Sequence, residues 1–154
     1  MTDLKPGDAA PRFALACAGN ETVALEDLAG KSVILYFYPK ADTTGCTAEA
    51  LAFTALKAQF DAAGAVVIGV SPDSPVRQEK FARKHDLQII LASDEDHQVA
   101  EAYGVWKEKS MYGRKFMGVE RSTFLIDPDG RLRRIWPKVK VAGHAEEVLQ
   151  ALAD

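Results

Sequence analysis

Apolar residues along this chain switch between two periods. Near the start, "RFALAC" and "TVAL" flank the turn residues of "AGNE". Alternation at Phe13, Leu15 and Cys17 predicts a short hairpin with those side chains on one face. "SVILYFY", residues 32–38, is a continuous β-branched and aromatic run, the pattern of a strand buried on both faces. The pattern then turns helical. In "CTAEALAFTALKAQFDAAG", Phe53, Leu56 and Phe60 recur at i, i+3 and i+7, and Gly64 ends the helix. "AVVIGVS" predicts a second buried strand, "SPVRQEKFARKHD" a helix with Pro75 near its start, and "QIILAS" a short strand. "DEDHQVAEAYG" reads as an acid-started helix closed by Gly104. "STFLIDPDGRLRRIW" reads as strand, tight turn and strand, and "GHAEEVLQALAD" as a last helix. Residues 107–121 are polar and poorly periodic and read as a loop.

After the hairpin the order is β-α-β-α-β-α-β-β-α. Strands alternating with helices require a mainly parallel sheet covered on both faces, and the closing hairpin adds an antiparallel edge. This is the order of an α/β, thioredoxin-like fold: a central mixed sheet flanked by helices, here with an N-terminal β-hairpin extension. With 154 residues and no repeat or linker-like stretch, residues 1–154 are expected to form a single domain. A net charge of −3 argues against a general binder of nucleic acid or of anionic membranes. The N-terminal stretch lacks an apolar segment of signal-peptide length, and no run approaches a membrane span, so the expected location is cytoplasmic. Under that expectation Cys17 and Cys46 are reduced thiols rather than a structural disulfide.

Cys46 would lie in the first turn of the helix after the first buried strand. Chemistry in such sheets gathers at the carboxyl ends of the strands. Amides of a first helical turn have no intrahelical acceptor, and the helix dipole favours an anion there. A free cysteine is more often a small buried hydrophobe. Here Gly45 and Thr47 are not core residues, and Pro39 and Thr43 precede the cysteine as Pro-x-x-x-Thr-x-x-Cys. Taken singly, Pro39 terminates a strand, Thr43 caps a helix, Glu49 matches a dipole and Arg121 is a surface charge. Their joint spacing is the informative observation.

That spacing, within "YFYPKADTTGCTAEA", resembles the active-site signature of the peroxiredoxins, and most closely the bacterioferritin-comigratory-protein (BCP)/PrxQ subfamily. The resemblance continues through "GVSPDSP", "SDEDHQVAEAYGVWKEK" and "RSTFLIDPDG" and covers nearly the whole chain. It implies a thiol peroxidase acting on hydrogen peroxide and organic hydroperoxides; no cofactor is expected, and no metal, because Cys46 lacks the paired spacing of a zinc site. Cys46 would be the peroxidatic nucleophile. Thr43 would bond the thiolate and the peroxide, and Arg121 would hold the thiolate and the oxygens of the breaking bond. Pro39 would shield the sulfur, and Glu49 would orient Arg121. A thiol with a pKa of about 8.5 is already a few per cent ionised at neutral pH, so full ionisation gains only about 30-fold, or about 2 kcal/mol. The remaining acceleration must come from positioning and polarising the O–O bond.

The chain departs from the subfamily in its second thiol. Many relatives carry a resolving cysteine five residues on, where this chain has Leu51, or in the next helix, where "SPVRQEKFARKHD" has none. The alternation at Phe13, Leu15 and Cys17 favours an inert, buried Cys17. A disulfide of Cys17 with Cys46, within one chain or between subunits, is the alternative. The expected cycle is therefore one-cysteine, with thioredoxin, glutaredoxin or a low-molecular-weight thiol as reductant, in a monomer or weak dimer. Two other functions compete. A disulfide oxidoreductase would want Cys-x-x-Cys, and the second position is Glu49. A redox-sensing or chaperone-like binding module would use oxidation of Cys46 as a switch.

Overall fold

A computed structural model describes residues 4–153. In chain order the elements are β1 (Ala14–Cys17), β2 (Thr22–Ala24), a 3-10 turn (Leu25–Leu28), β3 (Ser32–Phe37), α1 (Thr44–Ala55), α2 (Lys57–Ala62), β4 (Ala65–Ser71), α3 (Pro75–His85) and β5 (Ile90–Ser93). They are followed by α4 (Gln98–Ala102), β6 (Trp106–Met111), β7 (Arg114–Val119), β8 (Ser122–Ile126), β9 (Leu132–Trp136) and α5 (His144–Ala153). Seven strands form one sheet in the order β2-β1-β5-β4-β3-β8-β9. This is the mixed, helix-flanked sheet of the thioredoxin-like fold. It is less parallel than strand–helix alternation suggested. Only β3/β4 and β4/β5 run parallel, because the β1–β2 and β8–β9 hairpins each add antiparallel to an edge of that central trio.

Strand β3 sits between β4 and β8 and divides the interior by its pleat. Val33, Leu35 and Phe37 face one core, shared with Phe13, Leu15 and Cys17 from β1 and its approach and with Ala100 and Tyr103 near α4. Ile34, Tyr36 and Tyr38 face the other, built with Cys46, Ala50 and Phe53 of α1, Phe60 of α2, Phe81 of α3 and Val148 of α5. The two cysteines therefore lie on opposite faces of the sheet.

Three local expectations change. The helix after Cys46 breaks at Leu56 (φ −100°, ψ 5°) with no proline or glycine there, yet Phe53 and Phe60 stay fully buried on one face. The helix expected from residue 94 shortens to five residues, because Asp94 caps it from outside through the amides of Val99 and Ala100. Residues 107–121 are not a loop: β6 and β7 form a separate two-stranded sheet. Most of its residues are exposed on both faces, so no period-2 pattern marks it. Its turn is Tyr112-Gly113, both at positive φ (52° and 78°), as a two-residue hairpin turn requires.

No helix among the described residues is long and apolar enough to cross a membrane.

Candidate active site

The carboxyl end of β3 delivers the chain into α1. Thr43 holds the N-cap position with extended backbone (φ −90°, ψ 160°), and the first intrahelical bond runs from the Thr47 amide to the Thr43 carbonyl. Cys46 is the third helical residue, so its own N–H has no acceptor within the helix. Glu49 follows one turn on, on the same side of the helix. Arg121 is 75 residues away in sequence, yet register brings it here. Ser122 at the start of β8 pairs antiparallel with Phe37 at the end of β3, so the residue before β8 emerges beside the start of α1.

The Arg121 guanidinium forks. Nη2 donates to Cys46 Sγ at 3.3 Å, and Nη1 donates to Glu49 Oε1 at 2.7 Å. The site is nearly closed to solvent, with Cys46 2% and Glu49 1% exposed. Gly45 contributes by lacking a side chain, since a Cβ there would stand 3.3 Å from Arg121 Nη2. Burial pushes the Glu49 carboxyl up to about 7, against the lowering effect of the Arg121 charge and hydrogen bond. The burial cost wins because Oε1 is paired, while Oε2 has no hydrogen-bond partner among the described residues. Burial also disfavours charge on Arg121, but Glu49 and Cys46 beside it outweigh that and hold its pKa above the ordinary value.

The remaining expected residues are close in sequence but differ in contact. Pro39 lies half-buried between the last residue of the β3 run and the Thr43 N-cap. The Thr43 hydroxyl donates to the Lys40 carbonyl at 2.9 Å, three residues back, and not to the sulfur. The expected thiolate bond from Thr43 is therefore absent in this structure. The hydroxyl also caps no helix amide. Cys17 is 4% exposed, and its thiol faces the Leu15 carbonyl at 3.7 Å in the opposite core.

Sequence reasoning missed the support behind the loop. The Tyr38 hydroxyl donates to Gln78 Oε1, and Gln78 Nε2 donates to Ser71 Oγ and the Ala92 carbonyl, both at 2.9 Å. Ser71 Oγ donates to Asp73 Oδ2 at 2.7 Å, and that carboxylate also accepts the Ala41 amide at 2.7 Å. The residues on either side of Pro39 and Lys40 are thereby tied to β4 and α3. Ser71 and Asp73 belong to "GVSPDSP", which was singled out only as a likeness. Gln78 is fully buried, a fact that only the fold reveals, and no pattern in the sequence marks it. Tyr36 was missed as well. Its ring stacks on Phe53 at 4.8 Å and lies over Gly69, where a Cβ would come within 2.6 Å of it.

Residues 6–135 match the AhpC/TSA family. The chain is 50% identical to peroxiredoxin Bcp of Bacillus subtilis, over 98% of this chain and 96% of that protein. It is 43% identical to peroxiredoxin Bcp of Escherichia coli, over 100% and 99%. Among solved structures, a PrxQ mutant of Xylella fastidiosa superposes with TM-score 0.94 at 39% identity, covering 99% of this chain and 98% of that one. The bacterioferritin comigratory protein of Xanthomonas campestris, described for its alkyl peroxide reduction activity, gives TM-score 0.88 at 45% identity, covering 92% and 90%.

Proposed function

The chain belongs to the AhpC/TSA family and is a thiol peroxidase of the peroxiredoxin Bcp kind, and on that premise we propose which residues do the chemistry. The observation that carries the proposal is the forked Arg121, with one branch on Cys46 Sγ and the other on Glu49. Cys46 attacks a peroxide oxygen as thiolate. The S–O bond forms as the O–O bond breaks, leaving a sulfenic acid on Cys46 and an alkoxide or hydroxide that takes up a proton. Negative charge moves from sulfur to the departing oxygen, and the guanidinium lies where it can follow that charge. Glu49 holds the fork in plane from behind. Thr43 offers its hydroxyl lone pairs to the incoming peroxide, and the free Cys46 N–H adds a donor. Pro39 limits access of water to the sulfur.

The substrates we assign are hydrogen peroxide and organic hydroperoxides, with no cofactor or metal. The cycle is one-cysteine, because the only other thiol lies across the sheet in a separate core. Thioredoxin, glutaredoxin or a small thiol then reduces the sulfenic acid, in a monomeric, single-domain protein working in the thiol-rich cytoplasm. Peroxide consumption driven by dithiothreitol tests the assignment. Wild-type protein turns over and Cys46→Ser loses roughly a thousandfold or more. Equal turnover in that variant would refute it.

A further inference from the structure

The loop that leads into Cys46 is latched to α3 from outside. Asp42 sits in the left-handed region (φ 62°) and accepts Lys84 Nζ and His85 Nε2, both at 2.8 Å. Beside this latch lies a cavity of about 370 Å³ lined by Ala41, Asp42, Arg77, Lys80, Phe81 and Lys84. Arg77, Lys80 and Lys84 fall at i, i+3 and i+7, one face of α3. Arg77 is neutralised by Asp73 at 3.1 Å, and Lys84 by Asp42. Among the described residues Lys80 has no carboxylate partner. The cavity thus holds one uncompensated cation and a second whose anion belongs to the loop itself. Its volume suits a small molecule, near the lower end for ligand sites.

We propose that this cavity receives the reductant, a small thiol carrying carboxylates. The inference rests on the one-cysteine cycle proposed above and names its reductant class. One carboxylate engages Lys80 and competes with Asp42 for Lys84. Loss of the Lys84 bond leaves Asp42 held by His85 alone, which loosens residues 42 and 43 ahead of the first turn of α1, where the sulfur is 2% exposed, and speeds a thiol's approach to it. Docking thereby favours uncovering of the sulfur, and uncharged thiols reach it more slowly without that help. The thiol sulfur then attacks the Cys46 sulfenic acid, forming an S–S bond and releasing water. A second thiol attacks the mixed disulfide, returning Cys46 as a thiol and leaving with the first as a small-molecule disulfide. Two thiols supply the two electrons, so the cycle closes.

The test oxidises the protein with one equivalent of hydrogen peroxide and follows loss of the sulfenic acid with mercaptosuccinate or with uncharged 2-mercaptoethanol. The readout is the ratio of the two rate constants, which cancels effects common to both thiols. In Lys80→Glu the ratio falls about fivefold, the size of one surface charge interaction. In Lys31→Glu, a reversal at the opposite end of β3, it stays at the wild-type value. A ratio unchanged in Lys80→Glu, or lowered equally in Lys31→Glu, overturns the site. An effect of Lys80→Glu on thioredoxin but not on mercaptosuccinate overturns the small-thiol assignment. If no sulfenic acid forms on Cys46, the peroxidase assignment and the docking role fall together. A sulfenic acid reduced without regard to thiol charge overturns the docking role alone.

Discussion

Cys17 and Cys46 are 4% and 2% exposed, yet they sit on opposite faces of one sheet in different company. Around Cys17 are Phe13, Leu15 and the face of β3 formed by Val33, Leu35 and Phe37; its thiol meets a carbonyl, and burial pushes its pKa up. Cys46 meets a guanidinium at 3.3 Å, at the start of a helix whose first turn receives no side-chain cap. Burial alone does not distinguish the thiol we propose to be inert from the one we propose to react. The distinguishing feature is a fixed positive partner, and here that partner depends on β3–β8 register, a glycine at position 45 and a buried carboxylate.

Removing the partner should make Cys46 resemble Cys17 most fully. Arg121→Met is expected to lower kcat/KM for hydrogen peroxide about a hundredfold, the scale seen when a preorganised transition-state donor is lost. Stopped-flow oxidation kinetics would measure this. Arg121→Lys should recover only part of the loss, because a single ammonium cannot bond sulfur and carboxylate as a fork. Gly45→Ala keeps every charge but inserts a methyl 3.3 Å from Nη2, and should cost about tenfold in the same assay by displacing the guanidinium.

A change at Glu49 separates stability from chemistry. With Glu49 at about 7 in the folded protein and near 4.5 unfolded, the native state binds this proton more tightly. The resulting stability is fully present below pH 4.5 and is lost as pH rises toward 7, a contribution of about 3 kcal/mol at most. Urea midpoints from pH 5 to 8 should fall with this slope in wild type and flatten in Glu49→Gln. The smallest effect is at the other thiol. Cys17→Ser should leave peroxide turnover within about twofold while costing about 1–2 kcal/mol of stability for a hydroxyl in an apolar core. Loss of thioredoxin-linked turnover in Cys17→Ser, with single-turnover oxidation intact, would instead make Cys17 a resolving thiol.

How legible the molecule was from its sequence depended on whether each signal was local. The run "SVILYFY", the alternation at Phe13, Leu15 and Cys17, and Gly64 each mark an element through its own residues. The β6–β7 hairpin escaped because its strands bury little, leaving only Tyr112-Gly113 as a cue. At the site, Cys46 and Glu49 share a helix, and their spacing alone places them together. The position of Arg121 against them followed from family likeness rather than from any local pattern, since it depends on a strand register 75 residues away. The Thr43 hydroxyl turns to the Lys40 carbonyl because a threonine oxygen has a backbone acceptor at i−3, a choice that spacing does not encode. The chain Tyr38–Gln78–Ser71–Asp73–Ala41 was unreadable for the same reason as the arginine: each member is an ordinary polar residue until the fold assembles them.

The most direct test is peptide mass spectrometry after one equivalent of hydrogen peroxide, with a sulfenic acid trap present. One equivalent of trap, bonded to the Cys46 sulfur with loss of the sulfenic oxygen as water, with Cys17 unmodified and no disulfide, is the expected result. A Cys17–Cys46 disulfide, or oxidation of Cys17 ahead of Cys46, would contradict the claim that the guanidinium-paired sulfur works alone.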